Sequence, residues 1–180
     1  FTTQKEIAFA GHPSIGTAHA VLAHGLTPKQ DGMLLQECQA GVLPVRLRPE
    51  AADNAYSVRV PTSKLVRFAE AGDALFKSVL PMKLWTALKP ALVEGGRRWW
   101  LAELSDESAV RGFKPDAYAI AALARETGSL GLCIFARRAQ PHDGLVVRAF
   151  PLGVGIAEDP ASGAANAAIA AFLLETGCLG

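Results

Sequence analysis

The chain has 180 residues, half of them hydrophobic and 19% charged, with a formal net charge of +1. That composition supports a sizeable core and excludes a disordered chain, and the near-neutral balance supplies no whole-chain attraction to nucleic acid or to an anionic membrane. Cys38, Cys133 and Cys178 are the three cysteines; an odd count without close pairs argues against a disulfide framework and fits a reducing, cytoplasmic compartment. Cys133, inside Gly131-Leu132-Cys133-Ile134-Phe135, is expected to be a buried small hydrophobe. No apolar run reaches membrane-spanning length, and no signal-peptide pattern is present.

In chain order, residues 1–9 read as an extended segment ended by the turn at Gly11. A helix is predicted over 15–24, closed by Gly25. Residues 34–48 read as two strands around Ala40-Gly41, and 56–60 as a further strand stopped by Pro61. The stretch 63–80 is mixed, with a short helix and a strand both open. Trp99 to Leu104 reads as a strand after the Gly95-Gly96 turn, with one Trp in the core and the other half-exposed. A helix is expected over 115–126, with Pro115 in its first turn and Gly128 beyond its end. Strands are expected at 131–137 and 146–150, paired around Pro141-His142-Asp143-Gly144, and a last helix at 162–175 closed by Gly177. Arg97-Arg98 and Arg137-Arg138 read as solvated strand or loop ends.

Strands outnumber helices, and many are joined by short turns. The expected class is therefore α+β, with mostly antiparallel sheets wrapped on central helices rather than a doubly wound parallel sheet. The helices at 15–24 and 162–175 carry almost no charge until their ends, so each is expected to be buried inside its own sheet.

These two helices also follow one motif written twice. His12-Pro13-Ser14-Ile15-Gly16-Thr17-Ala18-His19-Ala20 recurs as Asp159-Pro160-Ala161-Ser162-Gly163-Ala164-Ala165-Asn166-Ala167, 147 positions later (159 − 12). A duplication of this kind predicts two pseudo-symmetric lobes with a site between them. The expected division is an N-terminal lobe over 1–61 and a C-terminal lobe over 62–180, the lobes exchanging segments near the termini. The chain opens at Phe1 in what reads as mid-strand and stops at Gly180 just after a helix, as expected of a piece of a longer protein.

Each motif copy places an ionisable residue before a helix start, where unpaired N–H groups and a partial positive charge collect. The imidazole of His12 suits proton shuttling, although a local backbone cap is the simpler role. Asp159, preceded by Glu158, is either a helix cap or a group that holds substrate. The backbone N–H groups of Gly163 and Ala164 suit a substrate carboxylate. His12 and His19 are seven apart, but no third ligand at a sensible spacing points to a metal. His24 is placed to interact with a helix C-terminus, and His142 lies in a loop. Gly153-Val154-Gly155 lacks the strand–turn–helix context of a dinucleotide fingerprint, and no Ser or Cys sits in a nucleophile elbow.

At Phe9-Ala10-Gly11-His12-Pro13 with Gly16-Thr17-Ala18, and at Glu158-Asp159-Pro160-Ala161-Ser162-Gly163-Ala164-Ala165, the sequence resembles the PhzF-like phenazine-biosynthesis isomerase family. The segments 95–104, Phe113-Lys114-Pro115-Asp116 and Arg148-Ala149-Phe150-Pro151 extend the resemblance over essentially the whole chain. It implies the diaminopimelate-epimerase-like fold, with an active site between two lobes. It implies cofactor-free proton relocation on a small carboxylic acid, catalytic roles for His12 and Asp159, and substrate contacts at Gly11, Gly163 and Ala164. Neither metal, nucleic acid nor membrane is implied, and a homodimer is the default assembly.

Three departures stand beside it. The family's main acid/base is a Glu upstream of anything matching Phe1, and Glu6 is not that residue. Ala164 stands where the family often has Ser, which keeps a backbone contact and loses a hydroxyl. The strands expected after the last helix are missing. The sister racemases use paired thiols at the two helix starts, and neither start here holds Cys, which disfavours that mechanism. An inactive binding or scaffold protein, and an epimerase using non-thiol bases, remain the alternatives to an isomerase.

Overall fold

The computed structural model describes residues 8–48, 55–139 and 144–179. The chain separates into two compact units, Phe1–Thr62 and Ser63–Gly180. Residues 1–7 and His142 lie outside the described residues, and with them Glu6 and the start of the first extended segment.

The first unit holds helix α1 (Gly11–Ala23) and strands β1 (Met33–Cys38), β2 (Gly41–Arg48) and β3 (Ala55–Val58). The strands form an antiparallel sheet in the order β1-β2-β3. Leu43 and Val45, on one face of β2, are buried, as period-2 alternation requires. Helix α1 packs on β2 and β3 and buries Gly11, Ser14 and Ala18.

Two expectations for this helix fail. It starts at Gly11 rather than at residue 15, and it is not apolar and buried all round: His12, Gly16, His19 and Ala20 are exposed. The early start has a local reason. Residue 15, where the second motif copy has its cap, is Ile and cannot cap. Pro13 fits the first turn, where no intrahelical N–H partner is needed. Ser14 stays inside the helix by donating its Oγ hydrogen to the carbonyl of Ala10 at 2.7 Å.

The second unit is built on a five-stranded sheet in the order β4 (Lys64–Phe68), β5 (Ala91–Glu94), β6 (Arg98–Glu103), β7 (Leu132–Arg137), β8 (Leu145–Phe150). Only the β6–β7 pairing is parallel. A parallel pair needs a crossover, here supplied by α3 (Glu107–Gly112) and α4 (Ala117–Thr127). Residues 63–80 resolve into β4 and the short helix α2 (Ala74–Val79). Helix α4 is capped by Asp116, which accepts from Ala119 N–H at 3.0 Å, so Pro115 precedes the cap instead of lying in the first turn. Helix α5 (Gly163–Glu175) follows β8 after a 3-10 turn at Leu152–Val154.

The sheet is covered on both faces. Phe76, Trp100, Ile120, Leu132, Ile134 and Phe150 pack with α2 and α4. Trp99, Leu101, Cys133, Phe135, Ile169 and Phe172 pack with α5. Trp99 and Trp100 point to opposite faces, but both are fully buried, at 1% and 0% exposure, which corrects the expectation of one half-exposed ring. The reason is the second layer of helix, which turns β6 and β7 into near-continuous apolar runs. Burial on all sides pushes the Cys133 thiol far up, so it is no thiolate. Helix α5 also differs from expectation: Ala165, Ala168, Ile169, Phe172 and Leu173 are buried, while Asn166, Ala170 and Leu174 are open.

Close approach explains two glycines. At Gly131, φ is +146° and a Cβ would overlap the Phe150 carbonyl oxygen. At Gly153 a Cβ would meet the carbonyl oxygen of Ser129 at 2.6 Å, so the 3-10 turn lies directly against the end of α4. Gly153 thus serves packing between two elements that lead to the second motif.

Candidate active site

Strand β8 delivers Arg148-Ala149-Phe150-Pro151, and the chain then returns along its free edge. Asp159 N–H donates to the Ala149 carbonyl at 2.9 Å, an isolated antiparallel bridge. Beside it, Arg148 makes a two-pronged ion pair with Glu158, Nε to Oε1 at 2.8 Å and Nη2 to Oε2 at 2.9 Å. The remaining nitrogen, Nη1, donates to the carbonyls of Phe113 at 2.8 Å and Val110 at 3.2 Å. Those carbonyls end α3, where unpaired acceptors and the helix dipole favour a cation. The guanidinium also lies 4.9 Å from the centre of the Phe150 ring.

The Arg148 guanidinium holds the Glu158 carboxyl below the usual carboxylate range, and Glu158 raises Arg148 in return. A carboxyl lowered on folding stabilises the fold fully above its unfolded value, and that contribution is lost as pH falls through the lowered one. The stability difference between the natural protein and Glu158→Gln is therefore expected to be constant near neutrality. It should shrink toward zero below about pH 4, as urea unfolding at a series of pH values will show. A gap that persists at the acid end of the series would mean the pair does not act through charge.

Asp159 is half-buried, and its Oδ1 accepts from Ala161 N–H at 3.1 Å. This turn leaves the capping of α5 to Ser162, whose Oγ accepts from Ala165 N–H at 3.4 Å. Asp159 is thus not the helix cap. Gly163 and Ala164 occupy the first two positions of α5, where an N–H has no carbonyl four residues back within the helix. The fold therefore brings Asp159, Gly163 and Ala164 together within the second unit.

Gly11 and His12 belong to the first unit, in the first turn of α1, with Gly11 buried and His12 exposed. The cap position, Ala10, is extended and offers no side chain to the helix start. The two motif copies thus share sequence spacing but not helix register: α1 begins one residue before His12, and α5 four residues after Asp159. His19 Nδ1 lies 3.3 Å from the hydroxyl of Tyr56 on β3. His24 bonds through Nδ1 to the Ala20 carbonyl at 2.8 Å, as expected for a helix end. A groove of about 510 Å³ runs beside α1, lined by Pro13, Thr17, Val21, Leu34 and Gln36 among others, but not by His12.

Sequence reasoning gave Arg148 no role of its own. Its signal was a lone charge in the apolar run Val146-Val147-Arg148-Ala149-Phe150. No spacing rule connects that charge to a Glu ten residues on, because the contact depends on the turn between them.

Two units with a motif helix each, and a mostly antiparallel sheet under the second, define the diaminopimelate-epimerase-like class of folds. Solved proline-racemase and hydroxyproline-epimerase structures superpose with a TM-score of 0.62. The chain belongs to the PhzC-PhzF family of phenazine biosynthesis-like proteins, whose model matches residues 1–179. It is 24% identical over 96% of its length to antisense-enhancing sequence 1 of Schizosaccharomyces pombe, and 29% identical over 99% to an uncharacterized isomerase of Deinococcus radiodurans. Among solved structures, a PhzF-family phenazine biosynthesis protein of Bacillus anthracis superposes with a TM-score of 0.78 at 20% identity, over 96% of this chain and 59% of its own. The chain spans 59% and 58% of the two sequence relatives. No helix among the described residues is long and apolar enough to cross a membrane.

Proposed function

We propose that this chain belongs to a cofactor-independent isomerase that moves a proton on a small carboxylic acid by general acid/base catalysis. The observation that carries the reading is that Asp159, held by Ala161 N–H, stands four residues before the start of α5 and does not cap it, Ser162 doing so. Such a helix start binds an anionic group through Gly163 and Ala164 N–H, with no dedicated side chain. Family membership supports an isomerase or epimerase reaction. Asp159 and His12 orient the substrate and help transfer protons, with Gly11 among the substrate contacts. Ala164 offers its N–H and no hydroxyl, so the substrate anion is held by backbone alone at that point. The working form is cytoplasmic and a homodimer.

The test is solvent exchange. The full-length protein, incubated in D2O with a panel of small carboxylic acids bearing an acidic C–H, is expected to incorporate deuterium at one carbon and to yield a positional isomer. Deuterium incorporation with inversion alone would make the protein an epimerase. Acids that bind without any exchange would overturn the catalytic reading in favour of a binding protein.

A further inference from the structure

We propose that Arg148 is a positioning residue for the Asp159 carboxylate, a role that rests on the reading of Asp159 as part of the site. The two side chains are coupled through two adjacent links between β8 and the returning chain: the side-chain pair Arg148–Glu158, and the backbone bond from Asp159 N–H to the Ala149 carbonyl. Two links one residue apart fix both the position and the direction of the segment entering Asp159. A single backbone bond would leave it free to pivot.

The guanidinium is itself fixed from the other side, since Nη1 is held by the carbonyls of Val110 and Phe113 and the plane lies over Phe150. The end of α3 therefore sets where Glu158 sits, and Glu158 sets where Asp159 sits. From there the Asp159 Oδ1 accepts from Ala161 N–H, while its Oδ2 accepts no hydrogen bond among the described residues. Arginine suits this post: one planar fork faces the carboxylate while its remaining nitrogen reaches the carbonyls, which an ammonium on a flexible stem does not reproduce.

The experiment compares Arg148→Met, Arg148→Lys and Glu158→Gln in the full-length protein. One readout is the 15N–1H resonance of Ala161, which reports the bond to Asp159. The other is kcat and KM on an acid that responds in the exchange assay. Arg148→Met is expected to shift the Ala161 amide and to lower kcat about 10- to 100-fold, with a smaller change in KM. Arg148→Lys should recover only part of both. Val93→Ala, buried on β5 with two strands between it and β8, serves as a destabilised control that leaves the amide in place. Should Arg148→Met not fold, Glu158→Gln gives the same two readouts. An Ala161 amide and a kcat no different from those of the control would overturn the proposal. If the natural protein turns over no acid, the isomerase reading fails by itself, and the amide shift alone decides whether the clamp exists.

Discussion

Replacing Asp159 by Asn in the full-length protein is expected to lower kcat/KM by about two to three orders of magnitude and to leave the fold almost unchanged. The substitution keeps the side chain's shape and its Oδ1 acceptor, so the 3.1 Å bond from Ala161 N–H survives. The Ala149 bridge uses backbone alone, and the Arg148–Glu158 pair lies on the preceding residue. Ser162, not Asp159, caps α5. What the amide lacks is the charge and the capacity to take a proton, and both matter only while substrate is bound. Urea unfolding should move by less than about 0.5 kcal/mol. An Asp159→Asn variant that retains full turnover would remove Asp159 from the site.

Trp100→Ala is expected to have the largest effect on stability, a loss of about 4 kcal/mol. The ring is fully buried, its centre is 4.6 Å from that of Phe76, and the Arg67 guanidinium lies 4.7 Å above it. Its Nε1–H donates to the Thr127 hydroxyl at 3.1 Å. Few side chains reach both α2 and the last turn of α4 from one strand, so neighbouring groups cannot collapse into the space together. Against a total stability of roughly 5–15 kcal/mol for a domain, such a loss leaves little margin. The midpoint in urea should fall with an unchanged slope. Trp99 provides the internal comparison: it is as deeply buried, but its Nε1 has no partner among the described residues. Trp99→Phe should therefore cost less than Trp100→Phe, by about 1 kcal/mol, the contribution of one hydrogen bond. Equal costs would mean that the Thr127 bond contributes nothing.

Much of the strand order was legible from the sequence because alternation and turn residues are local. The pair 33–38 and 41–48, the strand 55–58 and the helix beginning at Gly163 lie within a few residues of expectation. The strand at 91–94 and the helix at 107–112 leave no signal in the sequence: four residues are too few for alternation to register, and six too few for a helical period. Helix α1 begins before Pro13, not at residue 15, because a proline is tolerated within a first turn. The Trp pair is buried on both sides, against expectation, because alternation shows which face a residue takes but not whether that face is covered.

The site divides along the same line. His12 and Asp159, as residue types in a repeated motif, were set by the sequence itself, and so was the absence of cysteine at both helix starts. So too was the helix-start chemistry of Gly163 and Ala164, which depends only on where a helix can begin. What the tertiary structure alone decided is the support. Ser162 rather than Asp159 caps α5, the two motif copies differ in helix register, and Arg148 ties the second copy to the end of α3. These are contacts between segments that only a turn of the chain brings together, and no local periodicity carries information about a partner that folding alone supplies.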